Sequence, residues 1–340
     1  MKTILVTGGM GFIGSNFIRY VLNSNHDLRI INADKLTYAG NPENLKDFDE
    51  KYSKKYKFYK TDICDFNNID KIIIKESIDY IVNFAAETHV DRSIDNPNVF
   101  IETNVIGTQT LLNISKKHSI EKFLQVSTDE VYGSLNFNDP PFTETNNLYP
   151  NSPYSASKAS ADLLVRSYYK TFDLPVNITR CSNNYGPCQF PEKLIPLMIN
   201  NALNDKELPI YGEGINIRDW IHVNDHNSAV LKVLLEGKSG EIYNIGGDSE
   251  LKNIDLVKKI LKILNKSESL IKFVKDRPGH DLRYAINHEK ITKELNWKPT
   301  IDFEKGIELT VQWYQDNIEW LNNVINKNYL KYYEKHYKTR

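Results

Sequence analysis

The chain has 340 residues, 40% hydrophobic and 11% aromatic, so it can bury a large core and is long enough for about two domain-sized units. Its formal net charge is −1 with lysines and acids interleaved, which argues against a nucleic-acid partner. No apolar run approaches the roughly 18 residues of a membrane helix, and three cysteines without metal-ligand spacing indicate reduced thiols and no metal site. We therefore expect a cytoplasmic protein that does not bind membranes.

The chain begins with a strand, a glycine turn and a helix. Residues 2–14 read KTILVTGGMGFIG, an apolar strand followed by the turn, and a helix is predicted for 15–22. In such a turn Gly8 permits the sharp reversal, Gly11 lets a pyrophosphate approach the backbone, and Gly14 lets the helix pack closely on the strand. The helix N-terminus attracts phosphate. A glycine triplet can be only a turn, but this context predicts dinucleotide binding.

An acidic residue follows the second predicted strand. The strand at 28–32 leads to Asp34, twenty residues beyond Gly14. A carboxylate at this position binds a ribose diol and repels a 2′-phosphate, which favours NAD over NADP. The adjacent Lys35 leaves NADP open.

Strands and helices alternate through the first half of the chain. Such alternation predicts an α/β fold, a doubly wound parallel (Rossmann) sheet with ligands at the carboxyl ends of its strands. Further strands are predicted at 56–60, 80–84, 122–127 and 176–179, with a helix at 68–76.

Three small or acidic residues follow these strands. Asp62 is placed to meet the adenine edge, although it is also a candidate helix cap. Ala85 and Ala86 are small enough to let a cofactor pass closely, although both are compatible with simple packing. The glycine turn upstream favours the cofactor interpretation for all three.

The pattern loosens after Arg180, where prolines are frequent. We predict a dinucleotide-binding domain at 1–182 and a smaller, mixed α/β substrate domain at 183–340. Segments near 220–250 are expected to return to the first sheet, because 242–247 resembles a strand.

Tyr154 and Lys158 are separated by three residues in YSASK, which places both side chains on one face of a helix. A free tyrosine has a pKa of about 10, and a neighbouring ammonium is expected to bring it toward neutral pH. Tyr154 is then a candidate general base toward a hydroxyl. The spacing alone is also compatible with ordinary packing, so the dinucleotide motif carries part of this interpretation.

Two carboxyl groups follow the strand at 122–127. Thr128, Asp129 and Glu130 are consecutive, and alcohol oxidation alone needs neither acid. Two carboxyls a few ångströms apart in a closed cleft do not both ionise readily, so one can act as acid and the other as base. The alternatives are an exposed acidic turn, or side chains that face opposite sides of a strand.

These motifs resemble the dTDP-glucose 4,6-dehydratase family of extended short-chain dehydrogenases/reductases over nearly the whole chain. The glycine turn and YxxxK mark the superfamily, whereas the Thr-Asp-Glu triplet and DRPGH are more discriminating. The matching segments are GGMGFIGSN (8–16), DKLTYAGN (34–41), AAETHVDRSI (85–94), STDEVYG (127–133), YSASK (154–158), CSNNYGPCQFPEKLI (181–195), RDW (218–220) and DRPGHDLRYA (276–285).

The resemblance implies an internal oxidation, elimination and reduction of a nucleotide-linked glucose with catalytic, tightly held NAD. Tyr154, helped by Lys158, takes the proton of the 4-hydroxyl, which Thr128 positions, while hydride leaves C4. Glu130 then removes the C5 proton, and Asp129 protonates the departing C6 hydroxyl. Hydride then returns to C6 and a proton to C5, so the product is a 4-keto-6-deoxy sugar. The assignment of acid and base comes from the family.

Binding residues are carried over from the same segments. Those implied to line the cofactor or the adjoining sugar are Phe12, Ile13, Lys35, Leu36, Thr37, Ile63, Phe84, Thr88, Thr103 and Asn184. Those implied to contact dTDP-glucose, besides Thr88 and Thr128, are Asn183, Lys193, Leu194, Pro209, Ile210, Tyr211, Arg218, Asn253, Asp276, Arg277 and His280. The departures are Met10 for a common alanine, Thr88 for a common serine, and a short stretch between Lys117 and Lys122.

The predicted helices at 98–118 and 153–172 are apolar on more than one face, which suits burial against a partner. The family pairs such helices in a four-helix interface, so we predict a homodimer. A nucleotide-sugar 4-epimerase, a dehydratase for GDP-mannose or CDP-glucose, and a non-enzymatic NAD-binding sensor are the alternatives. The acidic triplet speaks against the epimerase and the sensor.

Overall fold

The computed structural model describes residues 1–46 and 48–325. Its strands are β1 (Lys2–Thr7), β2 (Leu28–Asp34), β3 (Tyr56–Lys60), β4 (Tyr80–Asn83), β5 (Lys122–Thr128), β6 (Val176–Cys181), β7 (Asn183–Tyr185), β8 (Leu208–Tyr211), β9 (Ile217–His222), β10 (Ile242–Ile245), β11 (Glu250–Lys252) and β12 (Ile271–Val274). Its α-helices are α1 (Phe12–Asn23), α2 (Phe48–Lys51), α3 (Phe66–Glu76), α4 (Val90–Asp95), α5 (Asn98–Phe100), α6 (Thr108–Lys117), α7 (Pro153–Phe172), α8 (Leu194–Leu203), α9 (Val223–Glu236), α10 (Asn253–Ile263), α11 (Glu289–Leu295), α12 (Phe303–Asp316) and α13 (Ile318–Val324).

The main sheet has seven strands in the order β10-β6-β5-β4-β1-β2-β3, and every neighbouring pair is parallel. The predicted doubly wound parallel sheet is confirmed. The chain order reverses between β1 and β4, where the helices that follow them leave on opposite sides. A crevice at the carboxyl ends of the strands is expected at such a reversal.

Alternating side chains of β1 fix the two layers of the core. Ile4 and Val6 pack on the face that α1, α9 and α11 cover, whereas Leu5 packs on the face that α3, α6 and α7 cover. A shift of β1 by one residue against its neighbours would exchange the two faces, so the alternating pattern holds β1 in register. The glycine turn is thereby placed at the carboxyl ends of the strands.

A second lobe contains two smaller sheets, β11-β9-β7 and β12-β8. Its core is formed by residues of α8, α10 and α12 with β8 and β9. β10, which follows the predicted boundary at residue 182, pairs with β6 in the main sheet. The division into two domains remains a prediction, and its second member extends to residue 340, beyond the described residues.

Two predicted helices differ from the structure. α1 begins at Phe12 rather than Ser15, because the turn ends at Gly11, the N-cap, and Gly14 lies inside the helix. The segment predicted as one helix at 98–118 starts with α5, continues as a π-helical turn at Ile101–Gly107 and ends as α6. Single π-helical turns are frequent beside functional sites, and Thr103 of this one lines the cleft described below.

In the described part of the chain, no helix combines the length and the apolar composition that crossing a bilayer requires. Cys64, Cys181 and Cys188 are all free thiols. Residues 1–46 and 48–325 contain no group of three or more His, Cys, Asp or Glu side chains arranged to hold a metal ion.

Candidate active site

One cleft lies at the carboxyl ends of the central strands, between the sheet and the segment that precedes α8. It brings together nearly all the predicted cofactor residues: Gly8, Gly11, Phe12, Ile13, Gly14, Asp34, Lys35, Thr37, Asp62, Ile63, Phe84, Ala85, Ala86, Thr88, Thr103, Tyr154, Lys158 and Asn184. Leu36 differs, because its side chain packs against the core beside α1. Its backbone N–H instead donates to Asp34.

The glycine turn leaves no room for side chains at two of its three positions. Gly8 has a φ of +71°, and a Cβ there would lie 2.6 Å from the backbone nitrogen of Ala85. A Cβ at Gly14 would lie 2.4 Å from the Gly8 carbonyl oxygen. At Gly11 the nearest atom is 3.3 Å away, so the protein itself nearly tolerates a methyl group. The open side of Gly11 faces the cleft at the start of α1, where backbone and helix N-terminus fit a pyrophosphate.

Asp34 is held rigidly at the edge of the cleft. Its two carboxylate oxygens accept the backbone N–H groups of Met10 at 2.9 Å and Leu36 at 2.7 Å. Burial raises the pKa of this carboxyl, and the two backbone hydrogen bonds oppose that rise. The geometry fits a ribose diol.

Lys35 pairs with Asp62 at an N–O distance of 2.6 Å. The Lys35 ammonium, which left NADP possible as the cofactor, is therefore already paired with a carboxylate. Asp62 lines the cleft and also accepts the Cys64 N–H at 2.9 Å, whereas the N-cap of α3 is Asp65. Asp62 is thus not the helix cap that the sequence left possible.

The acidic triplet begins where β5 ends. Thr128 is the N-cap of a 3₁₀ turn at Asp129–Tyr132, and its hydroxyl accepts the Glu130 N–H at 3.3 Å. Because the chain turns at once instead of continuing as a strand, Asp129 and Glu130 both line the cleft. They do not face opposite sides of a strand, and Asp129 is only 2% exposed, so the alternative of an exposed acidic turn is excluded.

The two carboxyls have different electrostatic surroundings. Burial raises the pKa of Asp129 well above its usual range, and the charges of Glu130 and Asp219 raise it further. Burial also raises the pKa of Glu130, but the cations of Arg277, Lys193 and Arg218 oppose this rise. One Asp129 oxygen has no hydrogen-bond partner, as expected for an acid with a proton to donate. The surroundings therefore favour a protonated Asp129 beside a more readily ionised Glu130.

Tyr154 lies in the first turn of α7, which a capping box at Ser152 and Ser155 starts. Lys158 is one turn later, and its ammonium donates to the Val126 carbonyl at 2.7 Å. Burial and the charge of Glu130 raise the pKa of Tyr154 well above its usual range. This direction is opposite to the lowering that the sequence predicted, and its main causes are desolvation and the carboxylate of Glu130.

The sequence missed Asn104, which joins three parts of the site. Its side-chain amide accepts the Glu87 N–H at 2.9 Å and donates to the Glu87 carbonyl at 3.0 Å and to the Ser157 hydroxyl at 2.8 Å. Ser157 in turn donates to the Tyr154 carbonyl at 2.7 Å.

Lys193 and Asn183 are the predicted substrate residues that share the cleft with Thr88 and Thr128. The Lys193 ammonium donates to the Thr88 carbonyl at 2.8 Å. It therefore lies where the cofactor part of the cleft meets the second lobe.

A second group of predicted substrate residues clusters around Asp91, which the sequence did not single out. Asp91 is 3% exposed and accepts the Tyr211 hydroxyl at 3.0 Å, while an Arg277 nitrogen lies 3.4 Å from its other oxygen. His280 pairs with Asp276 at 2.6 Å and meets the Tyr211 ring edge-on.

Arg218 lies over the Tyr284 ring at 4.3 Å and donates to the Asp281 carbonyl at 2.9 Å. The positive charges of Arg218 and Arg277 both oppose the rise in the pKa of Glu130. These two cations therefore lie near the triplet.

Nine predicted substrate residues do not line the cleft: Tyr211, Arg218, Asp276, Arg277 and His280, which cluster near Asp91 and Tyr284, and four others. Ile210 is buried in the core of the second lobe, and Leu194 packs against that core. Pro209 lies beside Ile210 on β8, and Asn253 begins α10. Their roles as substrate contacts remain predictions. The lining also contains residues that were not predicted: Ala33, Ala39, Gly40, Thr61, Glu87, Val126, Ser127, Cys181, Ser182, Gln189, Phe190 and Glu192.

Comparisons with known proteins agree with this geometry. The family model described as GDP-mannose 4,6 dehydratase matches residues 5–310. The dTDP-glucose 4,6-dehydratase of Shigella flexneri is 50% identical, covering 99% of each chain.

Solved structures are similar over the same length. The dTDP-glucose 4,6-dehydratase of Bacillus anthracis, in complex with NAD, is 52% identical with a TM-score of 0.89, covering 95% of this chain and all of that one. The enzyme of the same name from Streptomyces venezuelae, with NAD and TYD bound, is 46% identical with a TM-score of 0.91, covering 95% of this chain and 99% of that one.

Proposed function

We propose that this chain, which belongs to the dTDP-glucose 4,6-dehydratase family, removes water from dTDP-glucose and yields dTDP-4-dehydro-6-deoxy-glucose with NAD as catalytic cofactor. The observation that carries the proposal is the wall of the cleft where Thr128, Asp129 and Glu130 meet Tyr154. An alcohol oxidation site with two further carboxyls suits an elimination that follows the oxidation.

The glycine turn, Asp34 and the residues around Ala85 would hold NAD. When bound, it supplies a hydride acceptor for C4, a hydride donor for C6 and, in its oxidised form, a positive nicotinamide. Tyr154 takes the proton of the 4-hydroxyl, and the Thr128 hydroxyl orients that group. Lys158 supports the phenolate by its charge, although it donates to Val126 in the protein alone.

Elimination then uses the two carboxyls. A ketone at C4 acidifies the C5 hydrogen, which Glu130 removes, and Asp129 donates its proton to the C6 hydroxyl as this leaves as water. The raised pKa of Asp129 supports the role of acid at neutral pH, and the three cations near Glu130 support the role of base. A carboxyl whose pKa is raised well above its usual range, beside one whose rise is opposed by cations, fits this division between acid and base.

The diphosphate of the nucleotide sugar needs cations beside the triplet. Arg218, Arg277 and Lys193 supply them, and guanidinium groups suit phosphate oxygens in paired hydrogen bonds. The Nε of Arg277 is buried without a partner, which leaves a donor available for a ligand. Tyr211, whose hydroxyl donates to Asp91, is proposed to contact the base.

Four nucleotide sugars assayed in parallel test the function. Purified protein is given dTDP-glucose, UDP-glucose, CDP-glucose and GDP-mannose, and each mixture is analysed by mass for the loss of one water. We expect water loss from dTDP-glucose at the highest kcat/KM. No turnover of dTDP-glucose would refute the specific function, and an isomer of unchanged mass would indicate a 4-epimerase.

We also propose that two copies associate through the helices at 98–117 and 153–172. Large apolar side chains stay exposed on them in a single chain, with Ile101 47%, Leu163 57% and Phe172 45% exposed. Sedimentation analysis at micromolar concentration should show a dimer, and Leu163→Glu should shift it toward monomer. A wild-type monomer under these conditions would contradict the proposal.

A further inference from the structure

Asp91 is a buried carboxylate whose two partners come from the second lobe. It lies in the first turn of α4 and is 3% exposed. One of its oxygens accepts the hydroxyl of Tyr211, on β8, at 3.0 Å. The other oxygen lies 3.4 Å from Nη1 of Arg277, in the segment after β12. Burial of a carboxylate is costly unless the group is paired and hydrogen-bonded, so these two contacts fix Asp91 and its partners relative to one another.

The contact with Asp91 uses only one side of the Arg277 guanidinium. Nη1 lies on the Cδ side of the group, whereas Nε and Nη2 form the opposite edge, on which a guanidinium makes paired hydrogen bonds to phosphate oxygens. Within residues 1–46 and 48–325, the Nε of Arg277 is buried and has no hydrogen-bond partner. A buried donor that stays unpaired costs free energy, so this edge suits an acceptor that a ligand supplies.

Asp91 has two further effects that must be separated from a positioning role. Its negative charge lies beside Arg277 and near Lys193, so by charge alone it opposes the binding of a diphosphate. It also lies in the first turn of α4, where a carboxylate stabilises the helix, and its contacts join α4 to the second lobe. Loss of the charge effect would strengthen diphosphate binding, and loss of the structural effect would lower stability.

We propose that Asp91 is a positioning residue for the diphosphate of the sugar nucleotide: its carboxylate, oriented by Tyr211, holds Arg277 with the Nε–Nη2 edge free for the phosphate oxygens. This inference rests on the proposed function. Asp91 itself contacts no substrate, so its whole contribution passes through Arg277. A guanidinium that is already fixed loses less conformational freedom on binding and directs two hydrogen bonds, and this gain exceeds the unfavourable charge of Asp91.

The first test is Asp91→Asn in the NAD-loaded protein. The amide keeps the size of the carboxyl and its oxygen still accepts the Tyr211 hydroxyl, but its NH₂ group cannot accept from Arg277. The Kd for dTDP, measured by calorimetry, and the KM for dTDP-glucose should both rise by about 3- to 30-fold, while kcat stays within about twofold. A lower Kd would show that only the charge of Asp91 matters. A wild-type Kd with a lower melting temperature would show a structural role only, and either result overturns the inference.

Two further variants test whether Asp91 acts through its neighbours. In an Arg277→Met background, Asp91→Asn should change the Kd for dTDP by less than about twofold, because the group that it positions is gone. Effects that simply multiply in the double variant would overturn the inference. Tyr211→Phe keeps the ring and every charge but releases the carboxylate, so it should also raise the Kd. Asp95→Asn, an exposed change one turn later on α4, is the control for net charge and should keep the wild-type Kd.

The same measurements separate this inference from the proposed function. If the wild-type protein binds no dTDP and does not convert dTDP-glucose, the proposed function fails, and the inference fails with it. If the wild type binds dTDP and converts dTDP-glucose while Asp91→Asn and Tyr211→Phe both keep its Kd, the inference alone fails. A raised Kd in both variants, lost in the Arg277→Met background for Asp91→Asn, is the result that the inference predicts.

Discussion

The cofactor end of the cleft and the neighbouring region that we propose to bind the sugar nucleotide, called the sugar-nucleotide end, are built in different ways. The cofactor end is a backbone construction, in which Gly8 and Gly14 have no space for a side chain and Asp34 is fixed by two N–H groups. The sugar-nucleotide end consists of side chains from distant segments, joined through Asp91 to Tyr211 and Arg277. Backbone geometry fixes the first end, and mutual pairing of charges fixes the second.

Because the two ends are built differently, substitutions can impair one end without impairing the other. A change at the glycine turn should act on NAD, and a change among the cations should act on the sugar nucleotide. The triplet at Thr128–Glu130 lies between the two ends and should act on chemistry alone.

The largest effect is expected at the cofactor end, where substitutions at two glycines distinguish an effect on folding from an effect on NAD binding. Gly8→Ala should lower both the melting temperature and the NAD content, because its Cβ would overlap the backbone at Ala85 and its φ is positive. Gly11→Ala should retain the wild-type melting temperature and lose most NAD, since only the approach of the pyrophosphate is blocked. NAD per subunit, measured after denaturation, checks this. Full NAD content in a folded Gly11→Ala variant would show that the turn does not contact the pyrophosphate.

In the triplet between the two ends, Glu130→Gln should stop elimination without stopping oxidation. We expect kcat for the 4-keto-6-deoxy product to fall by about 10²- to 10⁴-fold, as on loss of a general base. NADH absorbance should still appear on mixing with dTDP-glucose. Glu121→Gln, a surface change beside Lys2, is the control and should leave both signals unchanged. An unchanged product yield in Glu130→Gln would refute its role.

At the sugar-nucleotide end, Arg277→Met should raise the KM for dTDP-glucose and leave the NAD content unchanged. Hydrogen bonds to charged groups contribute roughly 1.5–3 kcal/mol, so KM should rise about 10- to 100-fold. Lys275→Met removes an exposed cation two residues earlier and should have little effect. If the two variants behave alike, net charge rather than the position of Arg277 determines binding.

The smallest effect concerns stability and pH. The pKa of Asp129 is raised in the folded protein, first by burial, so its contribution to stability is present in acid and is lost as pH rises through that raised value. Asp129→Asn should therefore match the wild type in acid and melt at a higher temperature as pH rises, although it loses its role as acid. Asp225→Asn, whose carboxylate accepts from Thr300 and Ile301, should instead lose stability. Equal melting curves for Asp129→Asn and wild type at every pH would contradict this account.

The sequence could predict the cofactor end because its determinants are local. Glycine spacing, the acidic residue after β2 and the alternation of strands all follow from neighbours along the chain. It could not predict that the π-helical turn would place Asn104 between Glu87 and Ser157, or that Asp91 would join two distant segments. The electrostatics of Tyr154 also needed the fold, because helical spacing indicated Lys158 but neither the burial of the phenol nor the nearby Glu130, which both raise its pKa.

The most direct test of the central claim follows the hydrogen at C4 of the sugar. dTDP-glucose carrying deuterium at C4 is converted in ordinary water, and the product is analysed by NMR and mass. The account predicts that deuterium is recovered at C6 of the 4-keto-6-deoxy product, with a solvent proton at C5, because hydride leaves C4 and returns to C6 through one retained NAD. Product whose C6 carries only solvent hydrogen would contradict it.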